Sequence, residues 1–337
     1  MHESSRTILL IHPGGFGDVL LAVPAMRALR RHYPDHGIGL LAATEVGRFL
    51  EVSGEVDQVF PIEEPHLAGL MSGQDERPNA LAQWLQHCAI AVGWLHDRDS
   101  TLHNALQARG ISQIILQSPA GESDLHQSDR FLSPLRCLGI IEKAVPPILT
   151  LPGDVVAEGR TQLTRGEVAP TARIIICHPG SGSRHKCVAP QVWLELLREC
   201  LRFRWTPVVV VGPADEWACA PDVWQNMGSV PVIYPVSITQ LAGLLASAQG
   251  YLGHDTGVTH LAAMLGVPTI AMFGPTDPGR WAPRGANVTV IQGGACRCEG
   301  WDEVQLCRDK PCLAVKVAEV VAELQRIAPR YHPVTNL

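Results

Sequence analysis

Three glycine-rich loops hold most of the residues in this sequence that could act on an anion. The first is Pro13-Gly14-Gly15-Phe16-Gly17-Asp18. Its three glycines let backbone come close to a ligand, and one carboxylate stands where an amphipathic segment begins. Asp18 reads either as a helix N-cap or as a functional acid. The loop is not G-x-G-x-x-G, and no acid follows at the dinucleotide spacing, which disfavours nicotinamide and flavin chemistry. The second loop is His178-Pro179-Gly180-Ser181-Gly182-Ser183-Arg184-His185-Lys186. Free backbone N–H groups, the Ser181 and Ser183 hydroxyls and the charges of Arg184 and Lys186 suit a diphosphate. The third is Gly253-His254-Asp255-Thr256-Gly257-Val258-Thr259-His260. Asp255 or Thr256 caps the helix that starts here, and the positive end of that helix makes an anion site. Thr256 and His260, four residues apart, share a face of its first turn.

Each loop follows a short apolar run, and the elements around them alternate. Thr7–His12, residues 38–42, 58–62, 90–95 and 114–116 read as strands, with helical patterns at 19–32, 79–88 and 101–108. Pro24 predicts a kink or a late first turn in the first helix. The prolines at 146, 147, 152 and 170 mark residues 144–173 as a linker. The alternation then restarts with strands at 173–177, 207–211, 232–233, 250–252 and 269–273 and a last helix at 313–327. This is the pattern of parallel sheets flanked by helices. It predicts an α/β protein of two Rossmann-like domains, residues 1–165 and 166–337, facing across a cleft, and ligands bind at the carboxyl ends of such strands.

The chain has 337 residues, 46% of them hydrophobic, and a net charge of −6. That length suits two domains. The charge excludes a strongly basic field for a nucleic-acid backbone. No apolar run reaches the ~20 residues that cross a bilayer, and no secretory signal opens the sequence, so a cytoplasmic protein is expected. Arg27, Arg30 and Arg31 read as a solvated helix face or as attraction to an acidic acceptor or anionic lipid. Four of the ten cysteines, Cys296, Cys298, Cys307 and Cys312, fall within 17 residues. They could close a structural zinc or iron site, or remain thiols.

The order of these motifs resembles glycosyltransferase family 9, the ADP-heptose:lipopolysaccharide heptosyltransferase family. The resemblance is carried by Gly17-Asp18-Val19-Leu20-Leu21 with Pro24, by the second loop through Lys186, by Asp255-Thr256-Gly257 with His260, and by Phe273-Gly274-Pro275-Thr276-Asp277-Pro278 with Arg280-Trp281. It implies a GT-B fold and inverting transfer of heptose from ADP-heptose, or of another sugar from its nucleotide, with no cofactor and no catalytic metal. It also implies a lipopolysaccharide precursor as acceptor, bound by the N-terminal half, with peripheral contact to the cytoplasmic face of the inner membrane. Asp18 matches the general base. Gly17, Ser181, Ser183, Lys186, Asp255, Thr256, Gly257 and His260 match the donor and phosphate site. Asp255, a carboxylate beside phosphate, is expected to cap and orient the helix start. An acid at 212–216 would contact the ribose, with Glu216 taken before Asp215. The last helix could pack back toward the N-terminal domain. Two departures touch the substrate side: the stretch Ile11-His12-Pro13 stands where relatives more often carry a basic residue, and Cys187-Val188 where they have a nearby tryptophan. Other readings are transfer to a protein or another surface glycan, a nucleotide-sugar epimerase, and a non-catalytic nucleotide-sugar-binding protein.

Overall fold

The computed structural model describes residues 6–63, 68–69, 79–119, 124–212, 215 and 230–327. Contacts divide the chain into two units, Met1–Pro152 with Ser237–Thr239, and Gly153–Val236 with Gln240–Leu337.

The first unit is built on five parallel strands: β1 Thr7–His12, β2 Gly37–Ala42, β3 Gln58–Pro61, β4 Cys88–Gly93 and β5 Gln113–Leu116. Their order is β3-β2-β1-β4-β5. Every residue of β1 is buried, which is why its sequence is a continuous apolar run rather than an alternating one. The switch in strand order lies between β1 and β4, so the first glycine loop leaves the sheet at its topological switch point. The expected kink is present. Helix Phe16–Leu21 stops at Ala22, and a second helix, Val23–His32, begins with Pro24 in its first turn.

The second unit has six parallel strands: β6 Ile174–His178, β7 Thr206–Val210, β8 Val232–Ile233, β9 Gly250–His254, β10 Thr269–Phe273 and β11 Val288–Gln292. The order β11-β10-β9-β6-β7-β8 puts its switch between β6 and β9. His178 pairs in register with Gly253, so the second and third loops leave neighbouring strands at the same level. The core beneath them joins Ile175, Cys177, Leu252 and Met272 to Trp193, Leu196 and Leu197 of helix Pro190–Arg202.

Three expectations change. Residues 153–165 are not linker but a helix, Gly153–Arg165. It packs on helix Ile238–Ala246 so closely that a Cβ on Gly159 would lie 2.2 Å from the Gly243 carbonyl carbon. The division therefore falls at Pro152/Gly153 rather than 165/166. The last helix, Val317–Arg326, lays Val320 and Leu324 into the core of the second unit, beside helix Pro190–Arg202. Strand β11, which the sequence pattern did not single out, closes one edge of the sheet. Among the described residues, no helix is long and apolar enough to cross a membrane.

Candidate donor and base sites

The second and third loops meet around Asp255. The Lys186 ammonium donates to its Oδ2 at 2.7 Å, and the Thr276 hydroxyl donates to the same oxygen at 2.6 Å. The Ser181 hydroxyl donates to the Asp255 backbone carbonyl at 2.8 Å. Four residues from three loops, each at the end of β6, β9 or β10, thus share one hub. The Asp255 side chain is 7% exposed and that of Lys186 25%, so the ammonium keeps a face toward solvent. Such a cation is held in place before any phosphate arrives, which spares the entropy of ordering a long side chain.

Helix Gly257–Met264 starts beside this hub. Thr256 occupies its N-cap position, in extended conformation and without a side-chain capping bond. Asp255 is therefore not the cap. Its carboxylate orients Lys186 and Thr276 instead, a correction to the capping role expected from sequence. The first intrahelical bonds run from Thr259 and His260 N–H to the Thr256 carbonyl. The Gly257 and Val258 N–H groups lie ahead of those bonds, at the positive end of the helix. His260 is buried on this turn. Ser183 accepts from the His185 N–H at 3.3 Å and so caps the short 3₁₀ turn Arg184–Lys186.

Beneath the second loop lies a buried pair invisible to motif reading. His178 Nε2 and Asp215 Oδ2 are 2.9 Å apart, and both residues are almost fully buried. The same oxygen accepts the Gly212 N–H at 2.8 Å. Gly180 passes directly over this carboxylate, and a Cβ there would fall 1.9 Å from Asp215 Oδ1. Asp215, the second choice for a ribose contact, points inward as a loop support. Glu216, the first choice, lies outside the described residues. His254, wholly buried at the end of β9, accepts the Val188 N–H at 3.1 Å, and burial pushes its pKa down to about 4.

Sequence reasoning also missed Trp301. It opens helix Trp301–Leu306, is 42% exposed, and places its ring 5.9 Å from the Lys186 ammonium. It thus brings an aromatic ring near Lys186, where Cys187-Val188 supplies none. The segment that carries it is closed by Gly293 N–H to the Cys312 carbonyl at 3.1 Å and Gly294 N–H to the Pro311 carbonyl at 2.8 Å. Cys296, Cys298, Cys307 and Cys312 lie in this segment as free thiols. Burial and the adjoining Cys296 and Cys307 thiols push Cys298 up to about 12. The Cys312 thiol also adjoins Cys296, but among the described residues no group of three or more His, Cys, Asp or Glu side chains is arranged to hold a metal ion.

In the first unit, Gly15 is the N-cap of helix Phe16–Leu21, and Asp18 lies in its first turn. Asp18 is therefore not the N-cap, and Gly17 is helical beside it. Arg27 donates to Glu55 at 2.6 and 2.9 Å, Arg30 to Asp57 at 3.2 Å, and Arg31 to Glu142. Each arginine of the suspected lipid-facing cluster thus has its own carboxylate, which compensates the charge available for anionic lipid.

Known proteins of one family resemble this chain. A sequence profile described as glycosyltransferase family 9 (heptosyltransferase) matches residues 155–308, which hold the whole Lys186–Asp255–Thr276 cluster. Lipopolysaccharide heptosyltransferase 3 of Escherichia coli is 25% identical over 344 aligned residues, covering 95% of this chain and 99% of that protein. Both findings support glycosyltransferase family 9 as the family of this chain. The chain is a glycosyltransferase. The glycosyl transferase family 9 structure from Veillonella parvula DSM 2008 superposes with a TM-score of 0.80 at 16% identity, covering 97% of this chain and 98% of that one. The E. coli heptosyltransferase WaaC with ADP gives 0.61 at 19% identity, over 96% and 100% of the two chains. These likenesses establish the GT-B fold.

Proposed function

We propose that this glycosyltransferase moves a heptose from ADP-heptose to a lipopolysaccharide inner-core acceptor, with inversion at the anomeric carbon. The observation that carries the reading is the Lys186–Asp255–Thr276–Ser181 cluster at the β6/β9 switch point, beside the start of helix Gly257–Met264. Likeness along nearly the whole chain to a lipopolysaccharide heptosyltransferase supports the sugar and the acceptor, and a fold shared with an ADP-bound heptosyltransferase supports the nucleotide.

The steps follow from what transfer needs. An acceptor hydroxyl oxygen attacks the anomeric carbon, its proton passes to the Asp18 carboxylate, and the bond to the β-phosphate breaks. ADP leaves with the bonding electrons and gains negative charge. The Lys186 ammonium and the Gly257 and Val258 N–H groups stabilise that charge where it develops. A single displacement inverts the anomeric centre. Asp255 serves by aiming Lys186, and Ser181 by tying the second loop to the third.

Calorimetric titration with ADP, UDP and GDP tests the donor. ADP is expected to bind selectively, and Lys186→Ala to weaken it by roughly 2 kcal/mol, the range for a hydrogen bond to a charged group. Preference for UDP or GDP would overturn the heptose assignment. Asp18→Asn is expected to lower kcat by about 10²- to 10⁴-fold, the contribution of a general base, while leaving ADP affinity unchanged, and full activity in that variant would overturn the base. Undiminished transfer in EDTA is the expected check on charge stabilisation by Lys186 and backbone alone.

A further inference from the structure

The last residue of β1 is a histidine with no role in the steps above. His12 is 1% exposed, and its ring lies against Trp94, centroids 5.5 Å apart, and Phe131, 5.0 Å apart. Its Nδ1 accepts the backbone N–H of Gly14 at 3.2 Å. An accepting Nδ1 is unprotonated, so the neutral ring carries its proton on Nε2. Nε2 is buried and has no hydrogen-bond partner among the described residues. Such a group forfeits its hydration, so the ring is an expensive choice for a site that an aliphatic side chain could fill.

The reason lies one residue further along. Gly14 is sandwiched between the His12 ring and Asp18. A Cβ built on it would stand 2.7 Å from His12 Cε1 and 3.0 Å from Asp18 Cβ. The ring thus holds the loop twice, by accepting the Gly14 N–H and by filling the space a side chain there would need. Gly15, the next residue, is the N-cap that launches the helix carrying Asp18.

We propose that His12 is a positioning residue: its Nδ1 fixes the Gly14 peptide and thereby the direction in which helix Phe16–Leu21 presents the Asp18 carboxylate to the acceptor. The inference rests on Asp18 as the base. Burial holds the His12 pKa down at about 4, so the ring stays neutral while the enzyme works and exchanges no proton itself.

Three substitutions separate the two ring nitrogens. In His12→Asn the amide oxygen falls where Nδ1 stands, so the Gly14 N–H keeps an acceptor. His12→Gln reaches only the Nε2 position, and His12→Leu offers no acceptor. His12→Asn is expected to keep kcat within about threefold. His12→Leu and His12→Gln are expected to lose about 10- to 100-fold in kcat, the scale of a small misplacement of a catalytic group, with donor KM and ADP affinity unchanged. Equal losses in all three, or none in His12→Leu, would overturn the inference. Combination with Asp18→Asn keeps the test independent of folding defects. If His12 acts through Asp18, adding His12→Leu to Asp18→Asn lowers the residual rate no further. If the double variant loses as much again, His12 does not act through Asp18 and only this inference falls. If Asp18→Asn is itself fully active, the base assignment falls and takes this one with it.

Discussion

Gly180 shows how much of the donor site depends on a residue with no side chain. The carboxylate of Asp215 fills the space a Cβ would need, 1.9 Å from Oδ1 and 2.1 Å from Cγ. That carboxylate is fixed by His178 and by the Gly212 N–H, so it cannot swing aside at little cost. Gly180→Ala is therefore expected to destabilise the second unit by about 1–3 kcal/mol, the usual penalty of overpacking. Displacing the loop also moves Ser181 and Lys186, so ADP affinity should fall as well. Denaturant unfolding and titration with ADP measure the two effects. Gly182→Ala is the control. It lies two residues away with open space around it, and stability should change by less than about 0.5 kcal/mol. The residues of the site were legible because glycine, serine and lysine cluster locally after a strand. Their partnerships were not. His178 and Asp215 are 37 residues apart, and Lys186 and Asp255 are 69 apart. Pattern in a window cannot pair them, so Asp255 read as one of two candidate helix caps and Asp215 as the second choice, after Glu216, for a ribose contact.

Elements followed the same divide between local and distant causes. Buried parallel strands are apolar runs bounded by glycine and proline, and β1, β8 and β10 were read from the sequence at their observed bounds. Strand β11 lies at the sheet edge with only Ile291 buried, so its signal was weak. Helix Gly153–Arg165 was hidden for a related reason. It buries only Gly159 and Leu163, and flanking prolines gave it the look of a linker. Its place is set by a glycine-to-glycine crossing. A Cβ on Gly159 would lie 2.2 Å from the Gly243 carbonyl oxygen, and one on Gly243 would lie 2.4 Å from the Val155 carbonyl oxygen. Both obstacles are backbone, which cannot change rotamer. Gly159→Ala must push two helices apart, and a loss of about 2 kcal/mol or more in unfolding free energy is expected despite the better helix propensity of alanine. Gly153→Ala, at the start of the same helix with nothing within 4 Å, should be near neutral. A thermal melt of both variants distinguishes steric contact from propensity.

At the scale of the whole chain, each unit buries one neutral histidine against a tryptophan. His12 lies 5.5 Å from Trp94 in the first unit, and His254 lies 5.4 Å from Trp193 in the second. Burial pushes both imidazoles from an ordinary value of 6.5 down to about 4. The consequence for stability has a definite sign. Above pH 6.5 neither the folded nor the unfolded chain protonates these rings, and they add no pH dependence. Between 6.5 and 4 the unfolded chain takes up the protons and the folded chain does not, so the unfolded state gains and stability falls as pH falls. Below 4 both states bind, and this contribution levels off. The full loss is about 3 kcal/mol per histidine. Each unit carries one such group, so each should weaken in acid in its own right. Two-state behaviour is not guaranteed for a two-unit chain, and each unit needs its own probe. Variants that keep Trp94 or Trp193 as the sole tryptophan supply it. Denaturant midpoints followed by fluorescence should hold steady from pH 8 to 7 and then drop steadily to pH 4.5 for both reporters. His12→Asn should flatten the drop for the Trp94 reporter alone. A midpoint that stays level from pH 7 to 5 would mean that the reporting unit's imidazole titrates in the folded chain as it does in water, and that it is not sealed in the core as the packing against its tryptophan requires.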